Sequence, residues 1–353
     1  MSCVKEVCIK FFYNFKHFAS IVTIFSIIGL CLIFLTLAVT IHKPNSLENK
    51  VTLLIKPGYS TIEISEILKN NNVIINKWLF IIYVKTIAKN KKLIAGEYEF
   101  SPSQSLKEVI KIIAKGESIV RKITIPEGYT TKQILRLLSN EPRLVGAITS
   151  VPEEGALFPD TYYFKYGDLR SKIISAMMEK MNSYINSLLY KIPEEGIINN
   201  VQKLITLASI IEKEAGNDTE KQIIASVFLN RLKKNMKLQA DPTVIYAITR
   251  GEDSLGRQLS RKDLEFKSPY NTYVNAGLPP APIACPGMKS IEAVLNPTKT
   301  NYLYFVVDGK GGHNFSSSLD MHNNFVRQYR NLKNKQSKIY CITKAYYLFL
   351  CKL

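Results

Sequence analysis

One stretch of the chain limits every architecture open to it. From Ser20 to Ile41 the sequence reads SIVTIFSIIGLCLIFLTLAVTI, about 22 residues without a charge, enough for an α-helix to cross the hydrocarbon core of a bilayer. Lys5, Lys10 and Lys16 precede it, partly offset by Glu6, and HKPN follows. The lysines favour a cytoplasmic N-terminus, although Lys43 reduces the contrast. A cleaved signal peptide would carry a shorter apolar region and a small-x-small cleavage site, and Leu30 before Cys31 does not make a lipoprotein site. The expectation is a retained single-pass anchor over 20–41, with 1–19 cytoplasmic and the chain from 42 onward outside the membrane.

That topology governs how the charge is read. A net charge of +18 over 353 residues suggests an anionic partner such as nucleic acid, a membrane surface or an acidic wall polymer. A chain exported across a membrane does not meet nucleic acid, so nucleic acid is not expected as a partner. Scattered lysines in an Ile-, Asn- and Lys-rich text are also what codon bias produces. Of six cysteines only Cys285 lies between the apolar segment and the final tail, so no disulfide framework is expected. No C-x-x-C or Cys/His metal spacing occurs, and His313, His322, Asp308 and Asp320 show no diagnostic ligand pattern. Neither a metal nor another cofactor is expected.

Beyond the linker, VTLLIKPGYSTIEISEIL predicts a strand at Val51 to Ile55, a Pro57-Gly58 turn, and a helix capped by Ser60 or Thr61. The pattern returns as ITIPEGYTTKQILRLL, where Ile125, Gly128, Tyr129, Thr131, Ile134 and Leu138 repeat Ile55, Gly58, Tyr59, Thr61, Ile64 and Leu68. Two copies suggest a duplicated strand–turn–helix unit, not a solenoid, which needs three or more. NKWLFIIYVKTIAK predicts a helix between them, and AGEYEFSPSQSLKEVIKIIAKG a short strand and a capped helix. The order β-α-α-β-α resembles the LysM-like module, a small fold that binds N-acetylhexosamine chains. Helices are predicted over 169–190, 200–215, from Asp218 or Thr219 onward, and over 318–335, with a loop- and strand-rich region from about 236 to 312. The only clear strand there is Tyr302 to Val307. The apolar tail 336–353 is too short to span a membrane.

The chemistry concentrates in the second half. LASIIEKEAG sets Glu212 and Glu214 in the last turn of an apolar helix, where the negative end of the helix dipole opposes a carboxylate and favours its protonated form. With about 100° per residue the two lie about 160° apart on either flank of the face made by Leu204, Leu207, Ala208 and Ile211, and periodicity does not choose between them. LQADPTVIY adds Gln239, Asp241 and Tyr246; SPYNTYVNAGLPPAPI adds Tyr270, Asn271 and Tyr273; GGHNF adds His313 and Phe315. Aromatic rings cover pyranose faces, amides bond hydroxyl and acetamido groups, and prolines lower the cost of ordering the loops. Each aromatic is equally a candidate for core packing.

Taken in order, LASIIEKEAG, ASVFLNRL, LQADPTVIY, YNTY, GLPPAPI and YLYFVVDGKGGHNFS resemble the endolytic murein transglycosylase (YceG-like) family over roughly residues 50–330. The resemblance implies an α+β protein: anchor 20–41, LysM-like module 50–120, and a mixed α+β catalytic domain 121–335. It implies non-hydrolytic cleavage of peptidoglycan glycan strands outside the cytoplasmic membrane, leaving 1,6-anhydro-N-acetylmuramic acid ends, beside peptidoglycan synthases as partners. It also selects Glu214, at a helix end before a small residue, as the acid, and leaves Glu212 as a supporting ion-pair or hydrogen-bonding group. Ala215 departs from the Ser or Thr common there in related enzymes and lacks their hydroxyl. Two other classes compete: a membrane-anchored wall-binding scaffold whose catalytic centre has lapsed, and a metal-dependent amidase or peptidase, for which no ligand set is found.

Overall fold

A computed structural model describes residues 2–89 and 92–333; the tail 336–353 lies outside them. Helix α1 (Ser2–His42) starts well before the apolar segment and runs through it. The most apolar 18 residues of its stretch Ser20–His42 have a mean hydropathy of 2.7 and none of them is buried, while Ile41 near its end packs against the core of the unit that follows. The chain divides into two compact units, the first ending at residue 121 and including α1, the second starting at 122.

In the first unit β1 (Val51–Ile55) pairs antiparallel with β2 (Gly96–Phe100), Leu53 opposite Tyr98. Alternation sends Leu53, Ile55, Tyr98 and Phe100 to one buried face. Three helices supply the rest of that core: α2 (Thr61–Asn70) with Ile64 and Leu68, α3 (Lys77–Thr86) with Phe80 and Val84, and α4 (Leu106–Lys115) with Val109 and Ile113. Ser60, not Thr61, caps α2, in a capping box with Glu63. Gly116, with φ +65°, ends α4 in the left-handed conformation that glycine adopts without penalty.

The second copy of the strand–turn–helix pattern opens the second unit. β3 (Val120–Thr124) leads through Gly128 to α5 (Thr131–Ser139), whose cap Thr130 forms the same box with Gln133. β3 pairs with β4 (Thr161–Lys165), and Ile125, Ile134, Leu138, Phe164 and Met177 pack beneath them, the last from α6 (Arg170–Asn186). Beside this layer lies α7 (Val201–Glu214), in which every residue from Leu204 to Ile211 is buried. A helix buried on all sides is the centre of a fold rather than its skin. It packs against α8 (Lys221–Lys233) and α11 (Met288–Leu295). The hairpin β5 (Tyr304–Val307) and β6 (His313–Ser316) sits on α8 through an edge contact of Phe305 on Phe228. Helix α12 spans 319–333.

Two expectations need correction. Residues 236–312 hold three helices, α9 (Asp241–Thr249), the single turn α10 (Arg261–Leu264), and α11. Pro242 signals a break in the sequence but sits in the first turn of α9, where its missing N–H costs nothing. The helix assigned to Asp218 or Thr219 starts at Lys221, after a 3₁₀ turn over Asp218–Glu220 capped by Asn217.

Gly155 shows how tightly the centre is closed. It has φ +82°, and a Cβ there would lie 2.8 Å from Ile205 and 2.9 Å from Pro282. Gly167, with φ +84°, faces open space. Gly155→Ala is expected to cost about 2–4 kcal/mol in urea unfolding, and Gly167→Ala about 1 kcal/mol, the difference being the packing clash.

Candidate active site

The two glutamates at the end of α7 meet opposite surroundings. Glu212 is nearly enclosed: Lys221 Nζ donates to both of its oxygens at 3.1 and 3.3 Å, the Gly287 N–H at 3.0 Å and the Ser290 hydroxyl at 2.6 Å. Lys221 is 4% exposed and also meets Asp218 at 3.0 Å and Glu127 at 3.5 Å. Burial works against its charge, but Asp218, Glu212 and Glu127 outweigh that and hold its pKa above the ordinary value. Glu212 is a structural carboxylate with its acceptors committed.

Glu214 turns instead into a cavity of 320 Å³, lined also by Arg231, Gln239, Asp241, Tyr273 and His313, and walled by Phe305 and Val307. It is partly buried. Loss of hydration and then the charge of Asp241 push its pKa up to about 8, against a smaller opposing effect of the Asp241 backbone N–H at the start of α9. At neutral pH it is therefore a protonated acid facing a space large enough for a sugar ring and its substituents.

The facing wall is fixed by neighbouring loops. The Tyr273 hydroxyl donates to Asp241 Oδ1 at 2.6 Å; burial and then this bond raise its pKa. Gln239 stands at φ +50°, its side-chain oxygen accepting from Arg231 at 3.3 Å. A non-glycine residue in that region stores strain that the surroundings must hold. Arg231 does the holding: it donates to the carbonyls of Lys237, Leu238 and Leu303, and its guanidinium lies 5.1 Å from the Tyr304 ring centre. On the hairpin, Glu220 accepts from the His313 backbone N–H at 2.8 Å and pairs with Nδ1 at 2.8 Å. That leaves Nε2 as the ring nitrogen without this partner. A Cβ on Gly312 would lie 2.7 Å from a Glu220 carboxylate oxygen, so a side chain there would oblige that carboxylate to shift.

The structure thus gathers Glu214, Gln239, Asp241, Tyr273 and His313 and places the other candidates elsewhere. Asn271 is fully buried and builds its loop: it donates to Leu264 O and Phe266 O and accepts from the Tyr273 N–H. Tyr246 gives its hydroxyl to Glu154 at 3.2 Å and packs on Tyr270 with ring centres 5.0 Å apart; neither lines the cavity. Phe315 packs behind it, stacked on Tyr302. These four lie outside that cavity and brace the loops around it, and Tyr246 lines a separate cavity of 210 Å³. Arg231, which the sequence reading did not single out, and His322, which it weighed only as a metal ligand, also line the cavity. Arg231 had a legible signal, since Ile224, Phe228 and Arg231 fall on one helical face and put a cation at a core position. His322 stacks on Tyr304 with its Nδ1 buried and unpartnered, and burial followed by Arg231 lowers its pKa. Among the described residues no group of three or more His, Cys, Asp or Glu could hold a metal ion.

The two carboxylates have opposite stability signatures. The unfolded chain releases the Glu214 proton near 4.5, the folded chain near 8, so folding binds a proton between those values and stability falls as pH rises through that window. Glu214→Gln is expected to match the parent near pH 4–5 and to exceed it by roughly 2–3 kcal/mol at neutral pH. Glu212→Gln is expected to destabilise by about 2–4 kcal/mol at neutral pH, because Lys221 loses its buried counter-charge. Thermal melts across pH distinguish the two.

Residues 53–328 match the profile of the YceG-like family. An endolytic murein transglycosylase of Bacillus subtilis is 36% identical over 82% of this chain and 87% of that protein. One of Streptococcus pneumoniae is 29% identical over 80% of this chain and 59% of its own length. A crystal structure of a yceG-like protein from Listeria monocytogenes superposes with a TM-score of 0.50 at 36% identity, covering 79% of this chain and 99% of that one. The chain belongs to the YceG-like family.

Proposed function

We propose that the protein is an endolytic murein transglycosylase that cleaves peptidoglycan glycan strands between N-acetylmuramic acid and N-acetylglucosamine, and so ends strand elongation. The relatives in Bacillus subtilis and Streptococcus pneumoniae bear that name. The observation that carries the reading is a single protonated carboxyl, Glu214, in a cavity whose other carboxylate, Asp241, is engaged by Tyr273.

Ordinary glycosidases use two free carboxyl groups, one for the leaving group and one for water or for covalent attack. A reaction that takes its nucleophile from the substrate needs only one. Glu214 gives its proton to the leaving glycosidic oxygen as the bond to C1 breaks. The C6 hydroxyl of the muramic acid then attacks C1, with help from the acetamido group, and Glu214, now a carboxylate, takes up the hydroxyl proton. No water is consumed, the acid is regenerated, and the product carries a 1,6-anhydro end. Asp241 and Tyr273 orient the acid, while Gln239 and His313, the latter tied by Glu220, bond sugar substituents. The remaining assignments are that α1 is a retained anchor with its N-terminus cytoplasmic, residues 50–120 a LysM-like glycan-binding module, residues 121–335 the catalytic domain, and peptidoglycan synthases the partners.

Purified glycan strands digested by the full chain in detergent, with products weighed by mass spectrometry, test this reading. Anhydro ends are expected from the parent and, per folded molecule, from Glu212→Gln, with a loss of about 10²–10⁴-fold in Glu214→Gln. Ends carrying the mass of an added water would make the protein a hydrolase and overturn the mechanism. Because the acid must start protonated, kcat/KM is expected to fall as pH rises through about 8.

A further inference from the structure

Helix α3 buries one side in the small domain and leaves the other bare. Trp78 is 64% exposed, Ile82 55%, and Ile87, just past the helix end, 66%. Trp78, Ile82 and Lys85 follow one another at helical spacing along a single stripe, and Lys89 lies just past the helix end. Single exposed apolar residues need no explanation, but this stripe is continuous with a groove of 500 Å³. Phe34, Leu37 and Ile41 of α1 line one side of that groove, and Ile82, Tyr83 and Ile87 the other, with Lys107 also on its wall.

The chain leaves α1 without slack. Pro44 bridges to Ser105; the Asn45 N–H donates to Gln104 O at 2.8 Å, and its side-chain amide to Ser101 O at 3.1 Å. The domain is therefore fastened within three residues of His42, and α3 lies along the last two turns of the apolar stretch. If that stretch spans the bilayer, those turns sit within about 12 Å of the surface where it emerges, which is the depth at which amphipathic helices rest.

We propose that α3 is an interfacial helix: lipid acyl chains of the leaflet from which α1 emerges fill the groove and cover Trp78, Ile82 and Ile87. Lys77, Lys85, Lys89 and Lys107 meet anionic headgroups. A tryptophan with flanking lysines is the composition that settles at this level, the ring at the headgroup boundary and the ammonium groups reaching to water. The inference rests on the reading of α1 as a retained span. It adds that the small domain lies on the membrane rather than hanging from a tether.

Trp78 is the chain's single tryptophan and reports the outcome directly. The full chain is reconstituted in vesicles of phosphatidylcholine and phosphatidylglycerol, and its emission measured with iodide in the water and with bromine on the acyl chains. Loss of most of the emission with bromine near the headgroup end, less with bromine near the methyl end, and protection from iodide are the expected results. Quenching by iodide and by neither bromolipid would overturn the inference while the anchor stands. Protection from iodide without bromolipid quenching would mean a second copy or another protein covers the stripe, and would overturn it too. Release of the chain by alkaline carbonate would refute the anchor reading, and the inference with it.

Discussion

Lys221 is buried with its ammonium against Glu212, and the end of α7 depends on that contact. A buried lysine carries its charge only if carboxylates repay the hydration it gave up, and Glu212, Asp218 and Glu127 do so together. Glu212 in turn receives Gly287 and Ser290 from the segment that starts α11, so one ion pair joins three helices. The pair also sets direction. With Glu212 locked on one side of the final turn, the residue two places on has to face the other side, into the cavity. The two acidic residues at an unfavourable helix end are thus accommodated differently, one by neutralisation with a cation and the other by keeping its proton.

The cavity wall opposite Glu214 follows from a second buried cation. Arg231 has no apolar role on the inner face of α8, yet it gathers the carbonyls of Lys237, Leu238 and Leu303 around a planar fork. This stitches the loop before α9 to the start of β5. The left-handed backbone of Gln239 persists because Arg231 and the Thr272 carbonyl hold it. Lysine could not replace that fork, since a point charge cannot address three diverging acceptors.

Much of this was legible in the chain. The duplicated strand–turn–helix text folds twice with the same capping box, at Ser60 and Thr130, because capping chemistry is local. Glu212 and Glu214 were visible as a pair on opposite flanks; helical period does not choose between them, the family resemblance points to Glu214, and the partners of Glu212 come from residues 221, 287 and 290, which no helical period encodes. The aromatic segments were harder for the same reason. Tyr246, Tyr270 and Phe315 have the chemistry of sugar platforms, and only long-range packing, such as the Tyr246 bond to Glu154, reveals that they stand outside the cavity that Glu214 faces. The short helices α9 and α11 escaped because prolines and glycines at their starts read as loop text.

The close approach of Glu220 to the backbone at Gly312 has a use beyond this molecule. A side chain at 312 would press on the carboxylate and oblige it to shift, which would loosen the contact by which Glu220 orients the His313 ring. The string DGKGGH is therefore a readable mark of an oriented histidine. In a related sequence that keeps the glutamate of the α7 terminus but carries a bulkier residue at the second glycine, the histidine would be held by a displaced carboxylate, and its orientation would have to be secured in another way.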